Sequence, residues 1–309
     1  MGKNIQFRGK SGQVIGHPTH GFGYQPDPGV HGANGIYTGF QHHVASKMAA
    51  SALPAMTNNE AKACAVWNQG QTSGCTGHGK AGMDTTTLAA HGKPLPSPEL
   101  PRWEYLIGRA VDRTNPDTPL QDQGAQPNSL CRASAIWGVV LEGEDDGGRT
   151  ATSPDYTSFL EAHIDDEPKL GELETAGKRL ITGYNAIADT DPNKLLQFQQ
   201  AMATGHAVGI AVDAGSNAFQ GYDESKGPLD FTGSDPDHWI HALDYGTVAA
   251  LIAAGRIPSA WASLGLTTIL WLIQNSWGVG LWTRTGRAWV TSAFIGQGAF
   301  NSIVASLGV

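Results

Sequence analysis

Three short stretches hold residue types that together could break an amide bond. In Asn68-Gln69-Gly70-Gln71-Thr72-Ser73-Gly74-Cys75-Thr76, a side-chain amide stands six residues before a thiol, across a glycine-rich turn. A thiol is mostly protonated at neutral pH, and a helix N-terminus, with its unpaired N–H groups and dipole, favours the thiolate. The small residues after Cys75 are expected to start such a helix. The Gln69 amide and the Cys75 N–H are then candidate donors to the oxyanion of a tetrahedral intermediate, worth roughly 3 kcal/mol each in comparable sites. Asp237-His238-Trp239-Ile240-His241-Ala242-Leu243-Asp244-Tyr245-Gly246 offers a general base at the mouth of an apolar strand. Gln274-Asn275-Ser276-Trp277-Gly278 offers an amide that can hold the far imidazole nitrogen and fix its tautomer. Trp277 is expected to shield that hydrogen bond and to border the substrate.

The chain has 11 histidines, so the base must be chosen among several. His206 follows a predicted helix and enters the strand ahead of the one starting near His238. His238 and His241 are three apart, so a strand points them to opposite faces. His238, after the polar loop Gly233 to Asp237, is the base we select, and His241 is expected to be a core histidine. His78 lies one turn after Cys75 and is expected to pack sideways. A lone cysteine is most often a small buried hydrophobe. That is the reading for Cys64 and Cys131, which lack the context of Cys75.

Helices are predicted over Thr76–Ala90, Arg102–Val111, Ser129–Val140 with Pro127 at its start, and Asn193–Thr204, with a short candidate over Phe40–Ala52. Strands are predicted at Ala207–Val212, Trp239–Leu243, Ile269–Ile273 and Arg287–Val290. Helices gather in the first half and strands in the second, which points to α+β with two lobes. Residues 1–58, rich in Gly, Pro and His, read as an irregular segment packing on a catalytic unit that spans 59–309. Its helical lobe is expected over about 59–190 and its β lobe over about 191–309.

A net charge of -8 argues against nucleic acid and anionic membranes as partners. No stretch reaches the roughly 18 apolar residues of a membrane span, and the first residues lack the apolar run of a secretory signal. A cytoplasmic or virion-associated location is therefore expected over secretion. Three cysteines cannot build a disulfide framework. His17, His20, His31, His42 and His43 are dense, but no spacing completes a recognised ligand set, so neither metal nor cofactor is expected.

Cys75, His238 and Asn275, in this order with Gln69 ahead, resemble the papain-like cysteine peptidases, in particular their bacterial and viral branch without the usual disulfides. Further likeness lies in Gly23-Tyr24-Gln25-Pro26-Asp27, Pro119-Leu120-Gln121-Asp122-Gln123-Gly124-Ala125 and Gly286-Arg287-Ala288-Trp289-Val290. The resemblance covers most of residues 20 to 296. It implies a helical N-terminal lobe, an antiparallel β-sheet or barrel in the C-terminal lobe, and an active site in the cleft between them. It also implies peptide or protein substrates, and that Gly124 and Ala125 lie along the edge that binds substrate backbone. The chain departs from the pattern at Ser73-Gly74, where two residues are exchanged. Asp244 stands where a Gly is usual, and Leu281-Trp282 shifts the second tryptophan by one position. Residues 247–268 are a longer connection with a helical run from Val248 to Ala254, a candidate docking point for a protein partner. No helical pro-segment is recognised before Cys75. These departures motivate an alternative, a catalytically weak structural or binding protein of the same fold within a larger assembly. Acyl transfer to an amine is a third reading of the same site.

Overall fold

The computed structural model describes residues 52–113, 118–144, 149–177, 183–187, 191–230, 233, 235–297 and 302–306. The Phe40–Ala52 helix candidate, the Gly23–Asp27 likeness and the histidine-dense stretch lie outside them, apart from Ala52. The first half holds α1 (Cys75–Ala90), α2 (Pro101–Asp112), α3 (Pro127–Trp137), α4 (Tyr156–His163) and α5 (Leu170–Ala176). Prolines open α2 and α3, where a missing N–H costs nothing. The second half holds β1 (Gly183–Ile187), α6 (Lys194–Ala203), β2 (Val208–Val212), α7 (Asn217–Gln220), β3 (His238–Thr247), α8 (Val248–Ala253), β4 (Ile269–Gln274), β5 (Arg287–Thr291), α9 (Ser292–Gln297) and β6 (Ser302–Ser306).

The strands form one antiparallel sheet in the order β1-β6-β2-β3-β4-β5. Because β1 pairs with β6 over Gly183–Ile187, the sheet takes in a strand that precedes residue 190. Residues 55–57 also attach to the sheet side: Thr57 N donates to Tyr245 O, and Thr247 N donates to Ala55 O.

Each lobe has its own apolar core. Trp103, Leu106, Ile107, Leu130 and Leu160 fill the helical one, and Phe198, Ile210, Ile240, Trp271 and Val290 the sheet side. A third cluster between them joins Cys75, Met83 and Cys131 to Ala211, Trp239, Leu243 and Leu272.

Glycines in α1 explain how closely the two halves approach. A Cβ at Gly79 would come within 2.3 Å of Trp239 Cδ1, and one at Gly82 within 2.5 Å of His241 Cε1. Glycine in a helix interior costs about 1 kcal/mol against alanine. Here that cost is offset by seating the helix directly on β3. On the opposite face, Gly77 lets α2 in, since its Cβ would lie 2.5 Å from Pro101 O.

Candidate active site

Cys75 is the first residue of α1 and is fully buried. Gly74, the N-cap, offers no side-chain cap to the first-turn N–H groups. The turn before it is fixed by its own polar groups. Thr72 donates to Gln69 O from its N (3.3 Å) and its Oγ1 (2.8 Å), while Gln69 Nε2 donates to Thr72 O at 2.9 Å. Gly70 sits at φ 59, a conformation costly for other residues, and a Cβ there would strike Glu161. Ser73 N donates to both oxygens of Asp122, at 3.0 and 2.9 Å. Asp122 also accepts from Tyr105 Oη (2.7 Å), which in turn accepts from Gly124 N (2.9 Å). The Gly124 segment is thereby tied to the turn that presents Cys75.

His238 opens β3 and is fully buried. Its Nε2 lies 2.8 Å from Asn275 Oδ1, and Ser276 N donates to that same oxygen at 2.7 Å. A backbone N–H can only donate, so the shared atom is the amide oxygen and His238 Nε2 must carry the hydrogen. The ring is thus held in one tautomer, with Nδ1 on the side away from Asn275. Cys75, Gly79 and Gly82 share one face of α1 (i, i+4, i+7). Gly79 lies against Trp239 and Gly82 against His241, so one turn earlier this face reaches the His238 end of β3.

The two loops that carry Gln69 and Asn275 are joined. Gln69 N donates to Ser276 O and Gly278 N to Trp67 O, both at 2.9 Å. Ser276 Oγ donates to Gln69 Oε1. Ser276 therefore orients the Gln69 amide and the Asn275 amide at once, a role its place in the motif does not advertise.

Trp277 is only 2% exposed. Its ring lies 5.0 Å from that of His238, with Phe219 edge-on to it at 5.4 Å. It covers the His238–Asn275 pair. The shifted Trp282 stacks on Phe219 (4.6 Å, 13°) and donates to Phe219 O at 2.7 Å. The shield is complete despite the one-residue shift, and Leu281 is the residue turned outward. Phe219, from α7, was missed because an isolated aromatic in a polar loop carries no periodic signal.

Ala125 is buried, with its methyl in the helical core, and Gly124 commits its N–H to Tyr105. The Gly124 N–H is thereby already engaged within the chain. His241 is buried within β3, and desolvation followed by the nearby Arg287 charge holds it near 3. His78 packs beside Trp67 and Tyr156, with its Nδ1 2.8 Å from Gly74 O; burial lowers it to about 4. Both are neutral at physiological pH. His206 is buried ahead of β2. Cys64 is pushed up to about 12 by burial, so its thiol is inert, and Cys131 is buried in α3.

Asp244 is not a stray charge beside the base. Its Oδ1 accepts from Thr57 Oγ1 (2.8 Å) and Asn59 N (2.6 Å), and its Oδ2 from Glu60 N (3.0 Å) and Arg256 (2.8 Å). Arg256 comes from the 247–268 connection and also meets Glu60 at 2.7 Å. The departure from the family pattern thus anchors residues 57–60 and the longer connection to the far half of β3. That connection packs Val248, Leu251 and Ile257 on Leu270 and leaves Leu264 and Leu266 exposed.

Among the described residues, no group of three or more His, Cys, Asp or Glu could hold a metal ion. No described helix is long and apolar enough to cross a membrane.

This architecture is the papain-like fold, α+β in two lobes. Xylellain, a cysteine protease from Xylella fastidiosa, superposes with TM-score 0.64 at 18% identity over 94% of this chain and 97% of that one. Bromelain from Ananas comosus, in complex with the E64 inhibitor, gives 0.57 at 15% identity over 83% and 100%. Digestive procathepsin L 3 of Tenebrio molitor gives 0.56 at 17% identity over 86% and 72%. No protein-family model matches the sequence, and no curated protein matches it. Similarity to cysteine proteases in fold, at these identities, leaves the chemistry to be argued from the site itself.

Proposed function

We propose that this chain is a cysteine peptidase that hydrolyses peptide bonds through an acyl-enzyme on Cys75. The thiolate attacks the scissile carbonyl carbon, and the carbonyl π-bond electrons move onto oxygen. The Gln69 side-chain amide and the Cys75 N–H donate to that oxyanion. Collapse of the intermediate breaks the C–N bond, and protonated His238 gives its Nδ1 proton to the departing amine. Water, deprotonated by His238, then attacks the thioester and releases the carboxylic acid and the Cys75 thiol. Asn275 keeps the His238 ring in the orientation and tautomer both steps need. Peptide, water and these side chains supply every atom of the cycle.

The observation that carries the proposal is the His238–Asn275 hydrogen bond, whose direction is set by the Ser276 N–H. A buried imidazole fixed in one tautomer under an aromatic cover, with its other nitrogen turned away from Asn275, is the arrangement that a base acting on Cys75 needs. Asp244, which first suggested decay of the site, has a structural role of its own.

The test is to incubate wild type and Cys75→Ala with a defined peptide mixture in ¹⁸O water, with and without an added amine. Cys75-dependent cleavage with one ¹⁸O in each new carboxylate is expected. Products carrying the amine in place of ¹⁸O would make the chain a ligase, and no Cys75-dependent product would sink the enzyme reading.

A further inference from the structure

Behind the His238–Asn275 pair lies a small cavity at the junction of α1 with β3 and the end of β4. Its lining includes Trp67, His78, His241, Asn275 and Ser276. The space open to the centre of a water molecule is about 10 Å³, close to what a single water requires. Besides Trp67, whose indole the Glu142 carboxylate engages, three of the lining side chains bring a fully buried polar atom with no hydrogen-bond partner among the described residues: His78 Nε2, His241 Nε2 and Asn275 Nδ2. An unsatisfied buried polar group costs about 1–3 kcal/mol, so three around one cavity call for a shared partner.

The chemistry of the three atoms selects that partner. His78 Nδ1 meets Gly74 O, which can only accept, so Nδ1 carries the ring hydrogen and Nε2 of the neutral ring is an acceptor. Asn275 Oδ1 already accepts from Ser276 N and His238 Nε2, which fixes the amide orientation and makes Nδ2 a donor. A cation is repelled by the Asn275 donor, and an anion by the His78 lone pair. A molecule that accepts and donates at once is required, and the volume admits only water.

We propose that this cavity is a water site in which one buried water accepts from Asn275 Nδ2 and donates to His78 Nε2. Its remaining hydrogen-bonding capacity meets His241 Nε2 in whichever tautomer that ring adopts. His78 and His241 then become positioning residues: through the water they hold the Asn275 amide plane, and through Asn275 the His238 ring. The positioning role rests on the peptidase reading, whereas the water site stands on hydrogen-bond geometry alone.

A high-resolution crystal structure of the wild type decides the site directly. A single ordered water within hydrogen-bond distance of His78 Nε2, His241 Nε2 and Asn275 Nδ2 is expected. A dry cavity, or a water that touches neither histidine, overturns the site. The positioning role is read from the rate of Cys75 alkylation by a thiol-directed peptidyl epoxide in His78→Leu and His78→Gln. Leu removes the acceptor and should slow alkylation about tenfold, the usual weight of an outer partner of a site residue. Gln restores an acceptor and should recover most of that rate. Equal rates in the two variants overturn the positioning role, as does a wild-type rate in His78→Leu. Failure of wild-type Cys75 to react selectively would overturn the peptidase reading and the positioning role with it. The crystal structure would still decide the water.

Discussion

The two ends of β3 hold their polar groups in opposite ways. At its start, His238 has Asn275 on one nitrogen, an aromatic cover, and the helix that presents Cys75 against the strand. Toward its other end, Asp244 is clamped by Thr57, Asn59, Glu60 and Arg256 from two separate segments. One end keeps an imidazole oriented, while the other uses a carboxylate to hold chain in place. Substitutions at the first should destroy chemistry and spare the fold, and those at the second should do the reverse.

The largest effect is expected at the His238 end. Cys75→Ser and His238→Ala should each lower kcat/KM on the order of 10⁴-fold or more, with thermal melting close to wild type. A variant that lost activity only by unfolding would break the contrast. At the other end, Asp244→Ala leaves the Asn59 and Glu60 N–H groups without their acceptor and removes one of the two carboxylates that meet Arg256. It should cost about 2–4 kcal/mol in urea unfolding, with kcat per folded molecule preserved. Gln69→Ala and Asn275→Ala test the middle range. The first should lower kcat about 10²–10³-fold by removing an oxyanion donor. The second should lower it about 10²-fold through misorientation of His238.

A third kind of buried carboxylate sharpens the comparison. Glu99 is buried in the helical lobe, and neither of its side-chain oxygens has a hydrogen-bond partner among the described residues. Desolvation first, then the Asp84 carboxylate, raises it well above the usual carboxylate range, against the pull of Lys80. Lys80 itself is taken up by Asp84 and Glu104. A folded-state value above the unfolded one means stability fully present below the unfolded value and lost as pH rises through the folded one. Glu99→Gln should therefore flatten the fall in stability from mildly acidic to alkaline pH and raise it by at least about 1 kcal/mol at the upper end. Urea titrations across that range check it, and a slope identical to wild type would mean that Glu99 is not the group responsible.

The residues with the clearest sequence signal are those whose chemistry is local. Gln69 and Cys75 are six apart and share one turn, and Asn275 and Trp277 share one loop, so their types and spacing survive in a linear reading. The helix after Cys75 was legible for the same reason, since its small residues announce close packing, though not that Trp239 and His241 are what they pack against. What was hidden depends on distant partners. β1 and β6 pair across more than a hundred residues and neither has a strong alternating pattern, so their pairing leaves no linear trace. Asp244 looked like a defect because its partners, residues 57–60, lie about 185 positions away. Trp277 is of a type that suits a groove as well as a shield, and its burial is not encoded in that type. Asp122 and Ser276 act through hydrogen bonds to backbone and to other site residues, which no spacing rule encodes.

The central claim is that His238, not His241, works with Cys75. The most direct measurement is the alkylation rate of Cys75 by a peptidyl epoxide, read by mass spectrometry on wild type, His238→Ala and His241→Ala. Fast labelling of Cys75 alone is expected in the wild type, with Cys64 and Cys131 untouched. The rate should fall by orders of magnitude in His238→Ala and far less in His241→Ala. Slow, equal labelling of all three cysteines in the wild type would contradict the account. So would a collapse of Cys75 labelling in His241→Ala with His238→Ala unaffected.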